Sequence, residues 1–263
     1  LLVEDFGDLK YNKVIDEHPE KERSLYEYAV DALIVLRDNG FELSKSCPDF
    51  FGGYLHSAHR QFVDWFVPYF QGEQVSDECI SDFLQMWKDI ELLMLNPPLG
   101  AMYVDYHIEN LIYLPDREGV ASCGLLDFAM MYHGVPAYDI AHLTMDARRS
   151  ISIELKNHLI NRYVLGLKKD DKDMILNCIS IMGMHFHLKV AGQIIRWVYE
   201  GKGTYFIHLP RVVNYIRTAL EEPCFAPLVS FLNKYEVDLN MELPPANREQ
   251  IAEIIRDDAF LKS

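Results

Sequence analysis

Asp105 and Asn110 lie five positions apart in the segment DYHIEN, and Asp127 follows 17 residues after Asn110. A carboxylate can orient an attacking hydroxyl and accept its proton, while amide and carboxylate oxygens are ligands that Mg²⁺ prefers. Kinase catalytic loops use the same order, an Asp-x-x-x-x-Asn segment followed by a separate Asp. The spacing therefore predicts phosphoryl transfer, with Asp105 as the catalytic base and with Asn110 and Asp127 as ligands of the magnesium that accompanies ATP.

Two short apolar runs between Asn110 and Asp127 predict a β-hairpin. Residues 111–114 and 123–126 suit strands, and residues 115–119 between them are dense in turn-forming types. In an antiparallel pair, the residue before the first strand and the residue after the second meet at the same open end. The hairpin would therefore bring Asn110 and Asp127 side by side.

The spacing alone leaves a purely structural interpretation open. Asp105 and Asn110 are also common turn formers, and Asp127 could cap a helix. His107 lies inside the same segment and could serve as a general base. We prefer Asp105 for that role and expect His107 to serve the geometry of the loop.

The elements around this segment are predicted to be mainly helical. Pro19 opens a helix that Gly40 ends, and Ser76 caps another that stops before Pro97. The expected apolar face of the first helix is formed by Leu25, Ala29, Ala32 and Leu36. That of the second is formed by Ile80, Phe83, Leu84, Trp87 and Leu95. Further helices are predicted at 151–166, 172–200, 208–221, 224–235 and 248–258.

Composition narrows the class of protein. The 263 residues carry a net charge of −15, with 49% apolar and 25% charged residues, as in a globular protein with a sizeable core. The acidic balance argues against nucleic acid or an anionic membrane as a partner. The apolar stretches look too short and interrupted to span a bilayer. Five scattered cysteines without a CxxC pair indicate free thiols, so we expect a cytoplasmic protein.

Two further clusters have both a functional and a structural interpretation. Arg148 and Arg149 could reach an anion on a substrate, or they could form a solvated helix end. His185 and His187 resemble a metal-binding pair, but positions i and i+2 of a helix do not share a face. We therefore expect the two histidines to pack rather than to bind a metal.

The stretch from Asp105 to Arg149 resembles the signature region of the aminoglycoside phosphotransferase/choline kinase superfamily. The segments that carry the resemblance are VDYHIENL (104–111), GLLDF (124–128), GVPAYD (134–139) and DARR (146–149). Within the superfamily, the closest likeness is to the bacterial anomeric kinases of N-acetylmuramate and N-acetylglucosamine.

This resemblance implies an α+β, protein kinase-like fold. Residues 9–263 would form its mostly helical C-terminal lobe, with a small β-hairpin and a catalytic loop at 103–128. By the same resemblance, Asp105 matches the catalytic Asp, and Asn110 and Asp127 match the metal ligands. Asp139 matches an Asp that braces the catalytic loop.

Residues 1–8 resemble the hinge strand that joins the two lobes of such enzymes. The backbone carbonyl of Val3 and the amide of Asp5 would then face the adenine of ATP. An ordinary strand end followed by a turn also fits these residues. The N-terminal lobe, with its phosphate-covering loop and its lysine, is missing from the 263 residues, so we expect an ATP lobe ahead of Leu1.

The resemblance has two smaller departures. Tyr103 stands where the superfamily often has a histidine, and Ala129 and Met130 stand where the sugar-kinase subgroup commonly has polar residues. We therefore expect ATP-dependent phosphorylation of a small-molecule hydroxyl, with an amino sugar as the leading acceptor. An aminoglycoside or a choline-type amino alcohol is the alternative, and a non-catalytic kinase-like binding module is the competing class.

Overall fold

The computed structural model describes residues 4–260, which are mostly helical. The α-helices of this part of the chain are α1 (Tyr11–Glu17), α2 (Glu22–Asn39), α3 (Phe41–Ser44), α4 (Leu55–Gln61), α5 (Val67–Gln71), α6 (Asp77–Glu91), α7 (Ala137–Thr144), α8 (Ile153–Tyr163), α9 (Lys169–Tyr199), α10 (Leu209–Ala219), α11 (Ala226–Lys234) and α12 (Arg248–Ile254). The strands are β1 (Gly100–Met102), β2 (Leu111–Tyr113), β3 (Cys123–Leu125) and β4 (Tyr132–Gly134). Mostly helical structure with a few short strands was predicted and is confirmed.

The chain divides into two compact units. One comprises the chain up to Phe50 together with Asn96–Ile179, and it holds the strands β1 to β4. The other comprises Phe51–Leu95 and the chain from Ser180 onward. Asp105, Asn110 and Asp127 all belong to the first unit.

The predicted hairpin is confirmed. Strands β2 and β3 pair antiparallel, with Leu111 opposite Leu125 and Tyr113 opposite Cys123. The turn between them includes a short 3₁₀ segment, Gly119–Ser122. The hairpin therefore opens toward Asn110 on one strand and toward residues 126 and 127 on the other.

A second antiparallel pair, β1 with β4, was not predicted from the sequence. Gly100 lies opposite Gly134, and Met102 lies opposite Tyr132. Its three-residue strands are too short to show a period of two. Since β1 ends one residue before Tyr103, the pair fixes the point from which the segment with Asp105 begins.

The predicted helix signals at Gly40 and Ser76 are confirmed. Helix α2 ends at Asn39, and the Gly40 N–H bonds to the carbonyl of Leu36 at 2.7 Å. Ser76 caps α6, because its hydroxyl accepts the N–H of Cys79 at 3.1 Å. A side-chain acceptor at this position satisfies an N–H that has no partner within the helix.

One local prediction, the end of the second predicted helix, is wrong. Helix α6 ends at Glu91 rather than just before Pro97, and a short 3₁₀ turn follows it. Leu95 is therefore 77% exposed and does not belong to the apolar face. Of the predicted hinge strand 1–8, residues 4–8 are described and contain no strand.

Helix α9 corrects the expectation that no apolar stretch is long enough to span a bilayer. By length and composition α9 could cross a membrane, with a mean hydropathy of 1.3 over an 18-residue window. Within that window, 72% of the residues are buried inside the protein, and core helices pass the same test. The prediction of free thiols is confirmed, because all five cysteines lie in the described part and are unpaired.

Gly40 allows a close approach between α2 and β1, so Gly40→Ala should be destabilising. An added Cβ would lie 2.4 Å from the Leu36 carbonyl oxygen and 2.7 Å from the Cβ of Ala101. Neither atom can move without the backbone, so we expect the free energy of unfolding in urea to fall by about 1–3 kcal/mol. Gly203→Ala is the control, because a Cβ there meets nothing within 4 Å. Equal losses in the two variants would contradict the close packing at Gly40.

Candidate active site

The backbone just before Asp105 is clamped by helix α7. Asp139 accepts the N–H of Tyr103 at 2.7 Å and the N–H of Val104 at 2.8 Å, one on each carboxylate oxygen. His142, one turn further along α7, donates from Nδ1 to the carbonyl of Val104 at 3.0 Å. Residues three apart on a helix share a face, so a single face of α7 holds this peptide segment.

The clamped segment contains a strained residue. Val104 has φ of +76°, in the left-handed region that β-branched side chains rarely adopt. Such a conformation costs about 1–2 kcal/mol and persists only where the surroundings enforce it. The three hydrogen bonds from α7 supply that constraint, and the next residue in the chain is Asp105.

Asp105 is held at both carboxylate oxygens. The side-chain amide of Asn110 donates to Oδ2 at 3.0 Å and to the Asp105 backbone carbonyl at 3.1 Å. The Nε2 atom of His107 lies 3.2 Å from Oδ1. The Asp105 side chain nevertheless remains 41% exposed, so a ligand can reach it.

The surroundings of Asp105 favour its ionised form. Partial burial alone would raise its pKa. The hydrogen bond from His107 and the positive charge of Arg148 help to outweigh that effect, and the pKa of Asp105 is held well below its usual range. Asp105 is therefore a carboxylate over the whole physiological pH range.

At the open end of the hairpin, Asn110 lies beside Leu126, the residue that precedes Asp127. The N–H of Leu126 donates to the carbonyl of Asn110 at 2.9 Å, which extends the β2–β3 ladder by one bond. The hydroxyl of Tyr103 donates to the carbonyl of Leu126. These bonds tie the start of the catalytic loop to the residue that precedes Asp127.

The donor atoms at this end of the hairpin suit a hard cation. Asp127 is exposed, has φ of +60°, and its carboxylate has no hydrogen-bond partner within residues 4–260. The side-chain amide nitrogen of Asn110 donates to Asp105, and the side-chain oxygen of Asn110 has no hydrogen-bond partner within residues 4–260. An amide oxygen and a carboxylate fit Mg²⁺, which also takes phosphate oxygens and water. The described residues contain no cluster of three or more His, Cys, Asp or Glu residues arranged for a metal, so a cation here would need ligands from outside the protein.

The two arginines after α7 face different partners. Arg148 forms ion pairs with Glu109 at 3.3 Å and with Asp146 at 3.4 Å, so it lies beside the catalytic loop. Arg149 pairs instead with Asp16 at 2.6 Å and with Glu22. Of the two, Arg148 contributes to the lowered pKa of Asp105.

His185 and His187 pack against aromatic rings, as expected. Their ring centroids lie 5.8 Å from that of Trp87 and 4.8 Å from that of Tyr215, respectively. Both histidines are buried, and neither belongs to a metal-binding cluster of the described residues. The ring contacts confirm the prediction that both side chains pack in the interior.

The predicted hinge is described only in part. Val3 lies outside the described residues. Asp5 accepts the N–H of Gly7 at 2.9 Å, and Phe6 packs on the hairpin, where a Cβ on Gly124 would come within 2.8 Å of its ring. Lys10 forms an isolated antiparallel bridge with Ile112 of β2. Residues 4–10 thus lie against the β2–β3 hairpin, which is flanked in sequence by Asn110 and Asp127.

His142 is a site residue that sequence reasoning missed. Its contact with Val104 depends on the packing of α7 against a loop 38 positions upstream. The available signal was its spacing from Asp139, because two polar residues three apart in an apolar helix share a face.

A family model described as "phosphotransferase enzyme family" matches residues 17–171 of the chain. The chain is also 29% identical over 244 residues to an N-acetylmuramate/N-acetylglucosamine kinase of Caulobacter vibrioides. That alignment covers 89% of this chain and 66% of the relative, so the chain spans slightly less than two thirds of the relative's length.

The fold is similar to that of a solved ethanolamine kinase from Plasmodium vivax. The superposition has a TM-score of 0.51 at 14% sequence identity, and it covers 82% of this chain and 62% of that structure. At this identity the likeness concerns the fold alone, and it supports the prediction of a kinase-like architecture.

Asp139 gives a testable pH dependence of stability. Burial raises its pKa from an ordinary value of 3.8 to about 7, against the opposing effect of its two backbone hydrogen bonds. The folded protein then binds more protons than the unfolded chain between pH 4 and 7, so the free energy of unfolding falls as the pH rises through this window. In urea denaturation, the wild type should lose about 3 kcal/mol more over this window than Asp139→Asn, which cannot titrate. Parallel pH curves for the two proteins would contradict this account.

Proposed function

Because the chain belongs to the phosphotransferase enzyme family, we propose that it forms the larger lobe of an ATP-dependent kinase that phosphorylates a hydroxyl group of a small molecule. The observation that carries this proposal is the loop clamped by α7, on which Asp105 and Asn110 are hydrogen-bonded to each other. The hairpin brings the chain back to that loop one residue before Asp127.

Asp105 is the proposed catalytic base. A carboxylate with a low pKa is a weak base, so its main contribution is to orient the acceptor hydroxyl toward the terminal phosphate. In a loose phosphoryl-transfer transition state the attacking oxygen needs little deprotonation before bond formation. Asp105 then receives the proton as the new P–O bond forms, while the bond from the terminal phosphorus to the bridging oxygen of ATP breaks and ADP leaves.

Asn110 and Asp127 are the proposed ligands of Mg²⁺. When bound, the ion neutralises charge on the phosphates of ATP. The oxygen of Asn110 and the carboxylate of Asp127 are the protein atoms offered to it, and their lack of other partners among residues 4–260 supports this assignment. The amide group of Asn110 would thus serve two purposes, with its nitrogen on Asp105 and its oxygen on the metal.

An amino sugar is the leading acceptor in this proposal. It is supported by the 29% identity to a kinase of N-acetylmuramate and N-acetylglucosamine. The residues after Asp127 and Phe128 differ from those expected of sugar kinases, because Ala129 and Met130 stand where that subgroup commonly has polar residues. A net charge of −15 favours a cationic acceptor, so an aminoglycoside or an amino alcohol is the alternative.

The proposal includes a second lobe that holds the adenine end of ATP. Residues 1–8 would form the hinge to it, with Val3 and Asp5 facing adenine, and residues 9–263 would form the lobe that holds the acceptor. The packing of Phe6 on the hairpin supports a fixed position for this segment. The five free cysteines suit a reducing compartment, so we propose a cytoplasmic location.

The proposal is tested by measuring ADP release by the full-length gene product with ATP and a panel of acceptors. The panel contains N-acetylmuramate, N-acetylglucosamine, an aminoglycoside, choline and ethanolamine. We expect turnover of an amino sugar, and Asp105→Asn should lower kcat by about 10²-fold or more. Asp116→Asn makes the same chemical change on an exposed hairpin residue and should leave kcat unchanged.

The outcomes of this assay separate the alternatives. Turnover of only the cationic acceptors would replace the amino sugar with an aminoglycoside or an amino alcohol. Binding of ATP or acceptor without turnover of any compound would identify a non-catalytic binding module. Normal turnover by Asp105→Asn would show that the assigned base is wrong.

Asp127→Asn tests the metal ligand separately. The substitution keeps an oxygen and tolerates the left-handed backbone, but it removes the negative charge that binds the cation. We expect the Mg²⁺ concentration for half-maximal activity to rise by about 10-fold or more, the loss of one charge-assisted ligand. A Mg²⁺ titration of activity at fixed ATP measures this, and an unchanged midpoint would contradict the assignment.

A further inference from the structure

The two ring nitrogens of His107 contact two different groups. The ring is buried, with 3% of the residue exposed. Its Nδ1 accepts the N–H of Glu109 at 3.3 Å, and its Nε2 lies 3.2 Å from Oδ1 of Asp105. One contact caps the short 3₁₀ turn Ile108–Asn110, and the other reaches the carboxylate proposed as the catalytic base.

The cap fixes which nitrogen carries the proton. A neutral imidazole has one donor nitrogen and one acceptor nitrogen. Because Nδ1 accepts a backbone N–H, the ring proton is on Nε2, where it points at Asp105. The ring plane is further confined by His142, whose centroid lies 5.5 Å away and whose own Nδ1 is fixed on Val104.

The Asp105 carboxylate is thus held by two donors from its own loop. His107 donates to Oδ1, and the amide of Asn110 donates to Oδ2. With one donor the carboxylate could still rotate about its Cβ–Cγ bond, whereas two donors fix its plane. Each oxygen keeps a further lone pair for a ligand, and the side chain is 41% exposed.

We propose that His107 is a positioning residue, whose Nε2–H fixes the plane of the Asp105 carboxylate so that one oxygen faces the attacking hydroxyl. This inference rests on the proposed function, since it concerns the same reaction. It differs from a role as general base, because the donor nitrogen faces Asp105 and the acceptor nitrogen faces the backbone. It also differs from a purely structural cap, which would need Nδ1 alone.

Two isosteric substitutions separate the contact to Asp105 from the cap. In His107→Gln the terminal amide nitrogen can take the place of Nε2 and donate to Asp105. In His107→Asn the shorter amide can take the place of Nδ1 and keep the cap, but it cannot reach Asp105. A positioning role predicts that Gln retains kcat within about 5-fold, whereas Asn lowers it by about 10-fold or more with little change in KM for ATP or acceptor.

The opposite ranking would overturn the inference. If His107→Asn keeps kcat and His107→Gln loses it, His107 acts only as a cap. Equal kcat in both variants and the wild type would exclude any role in positioning. Thermal unfolding of both variants, measured alongside, separates a loss of kcat from a loss of folded protein.

A second measurement does not depend on turnover. The ¹⁵N chemical shifts of the His107 ring in the full-length protein report its tautomer directly. We expect protonation at Nε2 and a shift of that resonance in Asp105→Asn, while a ring protonated at Nδ1 would overturn the inference. Should the wild type prove inactive on every acceptor, the proposed function fails, and the NMR result still decides the His107 contact.

Discussion

The carboxylate of Asp139 is the point on which the geometry of the candidate site depends. It is buried in the first helical turn of α7, and its two oxygens accept consecutive backbone N–H groups, those of Tyr103 and Val104. Two hydrogen bonds to adjacent amides fix the direction of a peptide as well as its position. They hold Val104 in a backbone conformation that it would otherwise avoid, and Asp105 follows directly. Ionising a buried carboxylic acid costs free energy, so holding this loop through Asp139 lowers the stability of the folded protein.

The same region concentrates negative charge before any ligand binds. Burial raises the pKa of Tyr103, and the charges of Asp127, Asp139 and Asp105 add to that effect, so all three lie close to the one phenol. Like charges that act on the same phenol also repel each other. At Asp105, the hydrogen bond from His107 and the positive charge of Arg148 counter the effect of burial on its pKa. A divalent cation at the proposed site would offset part of this negative charge.

The sequence predicts the elements that have a periodic or short-range signal, and it does not predict the contacts that depend on tertiary packing. The β2–β3 hairpin, the cap at Ser76 and the end of α2 at Gly40 each have a short-range signal, and each is confirmed. The pairing of β1 with β4 joins segments about 30 residues apart through strands too short to show a period. The contacts of α7 with the loop before Asp105 could not be predicted either. The resemblance gave Asp139 a bracing role, but the backbone groups that Asp139 binds and the contact of His142 depend on three-dimensional packing.

Asp127 meets two requirements that are usually independent. Its backbone lies in the left-handed region, which excludes branched and bulky side chains and leaves Gly, Asn and Asp as the residues that tolerate it. A cation at the proposed site would be held best by an oxygen ligand with a full negative charge, and among Gly, Asn and Asp only Asp supplies it. Under the proposed role, nearly every substitution at this position would therefore be disfavoured by conformation, by chemistry or by both. This position is thus far less open to drift than the exposed residues that follow it in the chain.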